Sequence, residues 1–99
     1  MTLLSCPQRK EQVIAQKASN DFLLFNMHDG NYYSLNEVGG RIWELCDGHR
    51  TVGQIIDILA AEYEAPAETL TEDALELLEQ LRSAKLVADA GGNEPLLGY

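Results

Sequence analysis

The dipeptide Asp29-Gly30 lies between two apolar segments, and this arrangement constrains the fold of the chain more than any other feature. Asp-Gly favours two-residue hairpin turns, because such turns need positive φ angles that glycine adopts at little cost. The segments 22–27 and 32–35 are therefore predicted to pair as antiparallel strands. The short apolar run 13–15 is a candidate for a first strand on the other side of this hairpin.

The turn also predicts a register, in which Met27 lies opposite Tyr32 and Leu24 lies opposite Leu35. Side chains alternate between the two faces of a strand, so the pairing predicts the composition of each face. One face carries Phe22, Leu24, Tyr33 and Leu35, and the other carries Leu23, Phe25, Met27 and Tyr32. Both faces are apolar, whereas an antiparallel sheet often has one wet face. We therefore expect something to pack on each side of the sheet, which is a first indication of a partner.

Three amphipathic helices are predicted after the hairpin. Asn36 is a good N-cap for the first helix, and Asp47-Gly48 ends it. Thr51 caps the second helix, and Ala65-Pro66 breaks it. The third helix is expected to run from residue 69 or 71 to residue 84. Its apolar stripe consists of Leu70, Ala74, Leu77, Leu78, Leu81 and Ala84, with Leu75 about 100° to one side.

Two adjacent glycines, Gly39 and Gly40, lie inside the first predicted helix, where each costs about 1 kcal/mol relative to alanine. The expected compensation is a close approach of this helix to the sheet. Residues 85–87 complete the pattern as a short final strand. The predicted fold class is α+β, winged-helix-turn-helix-like, with a small antiparallel sheet of about three strands followed by three helices.

A single domain is expected from the length of 99 residues. We predict a flexible arm at 1–11, a folded domain at 12–88 and a flexible tail at 89–99. Seven basic and sixteen acidic residues give a net charge of -9, which repels phosphate backbones and anionic membranes. No apolar run approaches the roughly 20 residues of a membrane span, and the first ten residues do not resemble a signal peptide. A cytoplasmic protein is therefore expected.

Catalytic and metal-binding patterns are absent from the sequence. It contains neither a nucleophile elbow nor a phosphate-binding loop, and no catalytic residue is predicted. Cys46 and His49 form one short pair, whereas a zinc site needs four converging ligands, so neither a metal nor another cofactor is expected. We also expect no nucleic-acid partner, because the third helix carries five acidic residues between 68 and 79. A DNA-binding regulator is the weaker alternative that a winged-helix scaffold suggests.

The order and spacing of several motifs resemble those of the PqqD-like family, also described as the leader-recognition element of ribosomally made, modified peptides. The resemblance covers about residues 12 to 88 and is carried by Asp29-Gly30-Asn31-Tyr32-Tyr33-Ser34-Leu35-Asn36, Gly39-Gly40-Arg41-Ile42-Trp43-Glu44-Leu45, Asp47-Gly48, Thr51-Val52 and the run from Ile55-Ile56 to Tyr63. It implies a binding module, not an enzyme, that takes a precursor leader peptide as an added β-strand between the third strand and the third helix. The Tyr-Tyr-Ser-Leu-Asn segment is closest to the stand-alone leader-binding subunits of lasso-peptide biosynthesis.

The implied partners are a precursor leader peptide and either a leader-processing protease or another modifying enzyme. A chaperone for the pyrroloquinoline quinone precursor, working with a radical enzyme, is the alternative within the same resemblance. An exposed strand edge would also pair two copies of the chain, so a homodimer is a further alternative. The predicted groove residues are Asn31, Tyr32, Tyr33, Ser34, Leu35, Leu75, Leu78, Glu79 and Arg82. The competing interpretation is that their apolar members simply form core.

Overall fold

The computed structural model describes residues 1–19 and 21–90. Its elements, in chain order, are β1 (Pro7–Arg9), β2 (Val13–Ala18), β3 (Asp21–Asn26), β4 (Tyr32–Leu35), α1 (Glu37–Leu45), α2 (Val52–Tyr63), α3 (Ala67–Ser83) and β5 (Val87–Asp89). Strands β2, β3 and β4 form one antiparallel sheet in that order, and β1 pairs with β5 in a second. The prediction of an α+β fold, with a small antiparallel sheet before three helices, is confirmed.

The hairpin between β3 and β4 has a longer loop than predicted. Phe25 lies opposite Tyr32 and Phe22 lies opposite Leu35, so the predicted register is wrong by two residues. The Asn26 carbonyl accepts a hydrogen bond from the Gly30 amide at 2.8 Å, which closes a four-residue loop in place of a two-residue turn. Gly30 still has a positive φ of 76°, the property that makes glycine suitable at this position.

The predicted faces of the sheet survive this error, because a shift of two residues returns every side chain to the same face. Phe22, Leu24 and Leu35 are buried on the inner face. The outer face exposes 51% of Ile14 and 72% of Tyr32, and the rings of Tyr32 and Phe25 lie 4.8 Å apart. The prediction that both faces are apolar is therefore confirmed.

The signals at the starts of α1 and α2 behave as predicted, whereas the end of α1 and the start of α3 differ. Helix α1 ends at Leu45 with Cys46 as its C-cap, and the Gly48 amide donates to the Pro7 carbonyl at 2.9 Å instead of capping the helix. Asn36 accepts a hydrogen bond from the Gly39 amide at 2.7 Å, and Thr51 forms a reciprocal capping box with Gln54. Helix α3 begins at Ala67, two residues before the earlier predicted start. Pro66 is its N-cap residue, a place where the missing amide of proline is harmless.

The core lies between the inner face of the β2-β3-β4 sheet and the three helices. Helix α1 approaches β3 closely, since a Cβ atom added at Gly40 would lie 2.5 Å from Cδ2 of Phe22. The glycine pair was predicted to permit such an approach. The fully buried large side chains include Leu24, Ile55, Leu59, Leu78 and Leu86.

The segment predicted as an irregular N-terminal arm contains β1, so that prediction is wrong for Pro7–Arg9. A three-residue strand is too short to show an alternating pattern, and only its pairing with β5 reveals it. The predicted final strand at 85–87 begins instead at Val87, because Lys85 has a φ of 64°, which does not fit an extended strand. The predicted flexibility of residues 91–99 lies outside the described residues.

Within the described ranges, none of the helices has both the length and the hydropathy that crossing a bilayer requires.

Candidate functional site

Strand β4 forms one edge of the three-stranded sheet, pairing with β3 on one side only. The Asn26 amide donates to the Asn31 carbonyl at 3.0 Å, which marks these two residues as a hydrogen-bonded pair. Hydrogen-bonded and non-hydrogen-bonded pairs alternate along an antiparallel ladder. Tyr32 and Ser34 therefore direct their backbone N–H and C=O groups away from β3. Among the described residues, 1–19 and 21–90, none forms a hydrogen bond with these outward-pointing groups.

A cavity of about 400 Å³ lies beside this edge. It is enclosed by the end of β4, the start of α1 and one flank of α3. Its wall consists of Ser34, Leu35, Asn36, Val38, Gly39, Ile42, Leu70, Asp73 and Leu77. Gly39 keeps the space open, because a Cβ atom there would lie 3.3 Å from Cβ of Leu35 and 3.4 Å from Cδ2 of Leu77. Apolar side chains dominate the wall, so the cavity suits an apolar group.

The structure brings some of the sequence-predicted groove residues to this cavity and leaves others elsewhere. Ser34 and Leu35 line it. Asn31 and Tyr32 are exposed at the same end of the hairpin, and Tyr33 is half-buried against the core. Strand β4 therefore contributes Ser34 and Leu35 to the cavity wall, and their role in peptide binding stays a prediction.

The predicted α3 residues occupy a different side of the helix. Leu78 is fully buried in the core, and Leu75 is half-buried against it. Leu75 lies about 200° around the helix axis from Leu77, which does line the cavity. Of the α3 residues in the described part of the chain, Leu70, Asp73 and Leu77 form the wall.

Glu79 and Arg82 are also away from the cavity wall, and they bond to each other at 2.6 Å. The amine of Met1 donates a second hydrogen bond to the Glu79 carboxylate. Hydrogen bonds from this amine and from Arg82 lower the pKa of Glu79 below its ordinary value. The Glu79 carboxylate is thus engaged by these two donors.

Sequence reasoning missed most of the cavity wall, although it identified several of the residues in other roles. Leu70 and Leu77 belong to the predicted apolar stripe, and Gly39 to the predicted close approach of α1. Asp73 is one of the five acidic residues of the third helix that argue against a nucleic-acid partner. The spacing of Leu70, Asp73 and Leu77 at i, i+3 and i+7 places them on one flank of a helix, which was the available signal.

The cysteine and acidic side chains show no arrangement typical of a metal centre. Among residues 1–19 and 21–90, no cluster of three or more histidine, cysteine or acidic residues converges on a metal position. Burial raises the pKa of the Cys46 thiol to about 12, and its Sγ atom lies 3.1 Å from the Ile42 carbonyl. This thiol is protonated at neutral pH and packs as a small apolar group.

Comparison with known proteins identifies related sequences. The family model described as "Coenzyme PQQ synthesis protein D (PqqD)" matches residues 21–87. The PqqA binding protein of Bradyrhizobium diazoefficiens is 34% identical over 55 residues, covering 56% of this chain and 53% of that protein. The PqqA binding protein of Gluconobacter oxydans is 50% identical over 40 residues, covering 40% and 42% respectively. This chain thus spans about half the length of the curated relatives it matches.

Two solved structures share the fold over most of their length. TbiB1, in complex with the TbiA(beta) leader peptide, superimposes with a TM-score of 0.72 at 26% identity, covering 81% of this chain and 93% of that one. A lasso peptide synthetase B1, complexed with its leader peptide, gives a TM-score of 0.71 at 20% identity, covering 85% and 99% respectively. At 20% identity the second likeness concerns the fold alone.

Proposed function

This chain belongs to the PqqD family, and we propose that it is a non-catalytic adaptor that captures the leader of a ribosomal precursor peptide. The leader adds as a β-strand to the open edge of β4 and is presented to a processing enzyme. The observation that carries this proposal is the open edge of β4 beside the apolar cavity. An unpaired strand edge binds an extended peptide through main-chain bonds, and adjacent pockets select its side chains.

The free edge contributes recognition that does not depend on leader sequence. Tyr32 and Ser34 each offer one N–H and one C=O group, so an added strand can form up to about four main-chain hydrogen bonds. Each contributes about 0.5–1.5 kcal/mol net. Ordering a disordered leader costs about 2–5 kcal/mol or more. The backbone bonds therefore roughly offset the cost of ordering, and they leave little net affinity.

The cavity supplies the remaining affinity. Burying one leucine- or phenylalanine-sized side chain contributes about 1.5–3 kcal/mol. The cavity volume of about 400 Å³ is large enough for such a side chain. An added strand directs alternate side chains toward the same side, so every second leader residue points toward α3. The bound leader is therefore expected to place an apolar anchor between Leu35 and Leu77.

A proline at Ser34 tests the strand-addition mechanism most directly. Ser34→Pro removes an N–H group that points outward from β4, which an edge strand tolerates because no bond to β3 is lost. Ser34→Ala is the matched control, since it changes the side chain and keeps the amide. We expect Ser34→Pro to weaken leader binding about tenfold or more and Ser34→Ala to leave it within about twofold.

The measurement is isothermal titration of a synthetic leader, whose sequence comes from the short precursor gene that the proposed function predicts beside the gene for this chain. Circular dichroism and urea denaturation of both variants confirm that the sheet is retained. Equal affinity of Ser34→Pro and Ser34→Ala would contradict strand addition at β4. No detectable binding by the wild-type chain would contradict leader capture altogether.

For the processing enzyme we favour a leader-removing protease of lasso-peptide biosynthesis. The similarity to TbiB1, a chain in complex with a leader peptide, extends over 93% of that chain. The PqqA binding proteins support the alternative, a radical enzyme acting on the pyrroloquinoline quinone precursor. Co-purification of the tagged chain with each class of enzyme distinguishes the two, and a pairing with neither would contradict the presentation step.

The open edge of β4 also suits pairing between two copies of the chain. Leader and second copy would then compete for Tyr32 and Ser34. Sedimentation with and without the leader tests this, since a dimer that uses β4 dissociates when the leader binds. The acidic surface of α3 supports the further expectation that nucleic acid does not bind.

A further inference from the structure

We infer that Asp73 determines which leaders bind, by selecting a lysine or arginine two residues from the apolar anchor. This inference rests on the proposed function, because it assigns the side-chain preference of the same groove. The occupant is an extended peptide segment with the pattern apolar-x-basic. Three observations support it: the position of Asp73, its lack of a partner, and the lack of a free cation on α1 and α3. The general geometry of a β-strand then gives the spacing.

Asp73 is the one charged residue among the nine that line the cavity. Its side chain is exposed at the rim. Within the part of the chain that the structure describes, it takes part in no hydrogen bond or ion pair. The other wall residues are apolar or neutral. A carboxylate at the edge of an apolar cavity therefore lies within reach of whatever the cavity binds.

The protein supplies no nearby cation for this carboxylate. Helix α3 has no basic residue from Ala67 to Leu81, and Arg82 is bonded to Glu79. Arg41, on the helix α1 that forms another wall, donates two hydrogen bonds to Glu62, at 3.0 and 2.7 Å. Hydrogen bonds from Arg41 lower the pKa of Glu62 and hold that carboxylate in its charged form. Neither α1 nor α3 therefore offers a free cation that would compete with a basic side chain of the bound segment for Asp73.

The geometry of an added strand predicts the spacing. Residues i and i+2 of a strand point to the same face, about 7 Å apart. Asp73 and the apolar wall belong to one cavity, so the anchor and the cation must both point toward α3. The nearest position that satisfies this requirement is two residues from the anchor. Lysine and arginine suit it, because their long aliphatic stems extend along apolar surface while the charge stays in water.

The expected effects are modest, because the pair lies at a solvated rim. Asp73→Asn should weaken binding by about threefold to fivefold, the upper part of the range of an exposed ion pair. Asp73→Lys should weaken it by about tenfold, since attraction becomes repulsion. Both differences should shrink as the salt concentration rises from about 0.05 to 0.5 M, because screening acts on exposed charges.

Glu72→Lys is the matched control. It changes the net charge of the same helix by the same amount as Asp73→Lys, but Glu72 lies about 100° around the helix from Asp73 and outside the cavity wall. Long-range attraction of a basic leader would respond equally to both changes. A contact at the groove would respond to Asp73 alone.

The experiment titrates the wild-type chain and the three variants with the same synthetic leader, that of the precursor gene predicted beside this chain's gene. The titrations are repeated with leaders in which each basic residue is replaced singly by alanine or glutamate. We expect one basic leader residue, two positions from an apolar one, to contribute to the affinity for the wild-type chain. Its replacement by alanine should leave the affinity for Asp73→Asn unchanged. The leader that carries glutamate at this position should bind Asp73→Lys more tightly than it binds the wild-type chain. A double-mutant cycle then measures the coupling energy between the two positions.

Binding by the wild-type chain with equal effects of Asp73→Lys and Glu72→Lys would overturn this inference and leave the proposed function intact. The same holds if no basic leader residue is coupled to Asp73. Absence of any binding by the wild-type chain would overturn the proposed function itself.

Discussion

Gly40→Ala tests the contact that positions α1, and with it one wall of the cavity, against the sheet. An added Cβ atom would lie 2.5, 2.7 and 2.8 Å from Cδ2, Cγ and Cβ of Phe22. Carbon atoms in optimal contact are about 3.5–4.0 Å apart. The two elements must therefore separate by about 1 Å, or the Phe22 ring must leave a position where it is 7% exposed.

The size of the effect follows from two opposing contributions. Alanine in a helix is favoured over glycine by about 1 kcal/mol. Overpacking a core costs about 1–3 kcal/mol. The upper half of this range applies, because Cβ of Phe22 is fixed to the backbone and cannot rotate away. The backbone itself is held on both sides, since Phe22 pairs with Lys17 of β2 and with Leu35 of β4. Gly40→Ala should therefore destabilise the protein by about 1–2 kcal/mol.

Urea denaturation followed by circular dichroism measures this difference, with Gly53→Ala in α2 as the control. A Cβ atom at Gly53 would have its nearest neighbour, the Leu3 carbonyl oxygen, at 3.5 Å, which is an ordinary contact. Gly53→Ala should therefore gain stability, by up to about 1 kcal/mol. If Gly40→Ala were as stable as the wild-type chain, the close approach of α1 to β3 would be refuted.

Two further predictions concern the cavity and the surface ion pair. Leu77→Ala should weaken leader binding by about fivefold to tenfold through lost apolar contact, while Leu75→Ala should leave the affinity within about twofold. Fluorescence anisotropy with a labelled leader measures both affinities. A larger effect of Leu75→Ala would refute the assignment of Leu77 to the binding surface. Arg41 lowers the pKa of Glu62 below the ordinary 4.5, so their pairing stabilises the fold above about pH 4.5 and this stabilisation disappears as the pH falls through the lowered pKa. Arg41→Gln should accordingly reduce the urea midpoint at pH 7 but not at about pH 2, and a constant difference would contradict this assignment.

Local sequence signals predicted the elements and the faces of the sheet. Asn36 and Thr51 cap their helices because each side-chain oxygen reaches an amide three residues ahead. Pro66 separates α2 from α3 because it cannot continue a helix. Alternation along β3 and β4 predicted the buried face, since this period does not depend on the loop length.

The register and the short strands were not predictable in the same way. The choice between a two-residue and a four-residue loop depends on hydrogen bonds around Asn26, whose side chain is buried and accepts from the His28 amide at 2.9 Å. Strand β1 exists because β5 lies beside it after the intervening chain has folded. Such a pairing joins residues about 80 positions apart, so no local pattern encodes it.

For the candidate site, the sequence by itself determined that an apolar hairpin precedes a leucine-rich helix. It also determined that this helix is acidic, with five carboxylates between residues 68 and 79. The tertiary structure decided which flank of α3 faces the edge of β4. The apolar stripe of α3 is broad enough to fit several rotations about the helix axis, and simultaneous packing against α1, α2 and β5 selects one of them. That rotation places Leu77 and Asp73 at the cavity beside the β4 edge and Leu75 on another side of the helix. The sequence of α3 alone does not encode this choice, because close packing depends on all the contacting surfaces together.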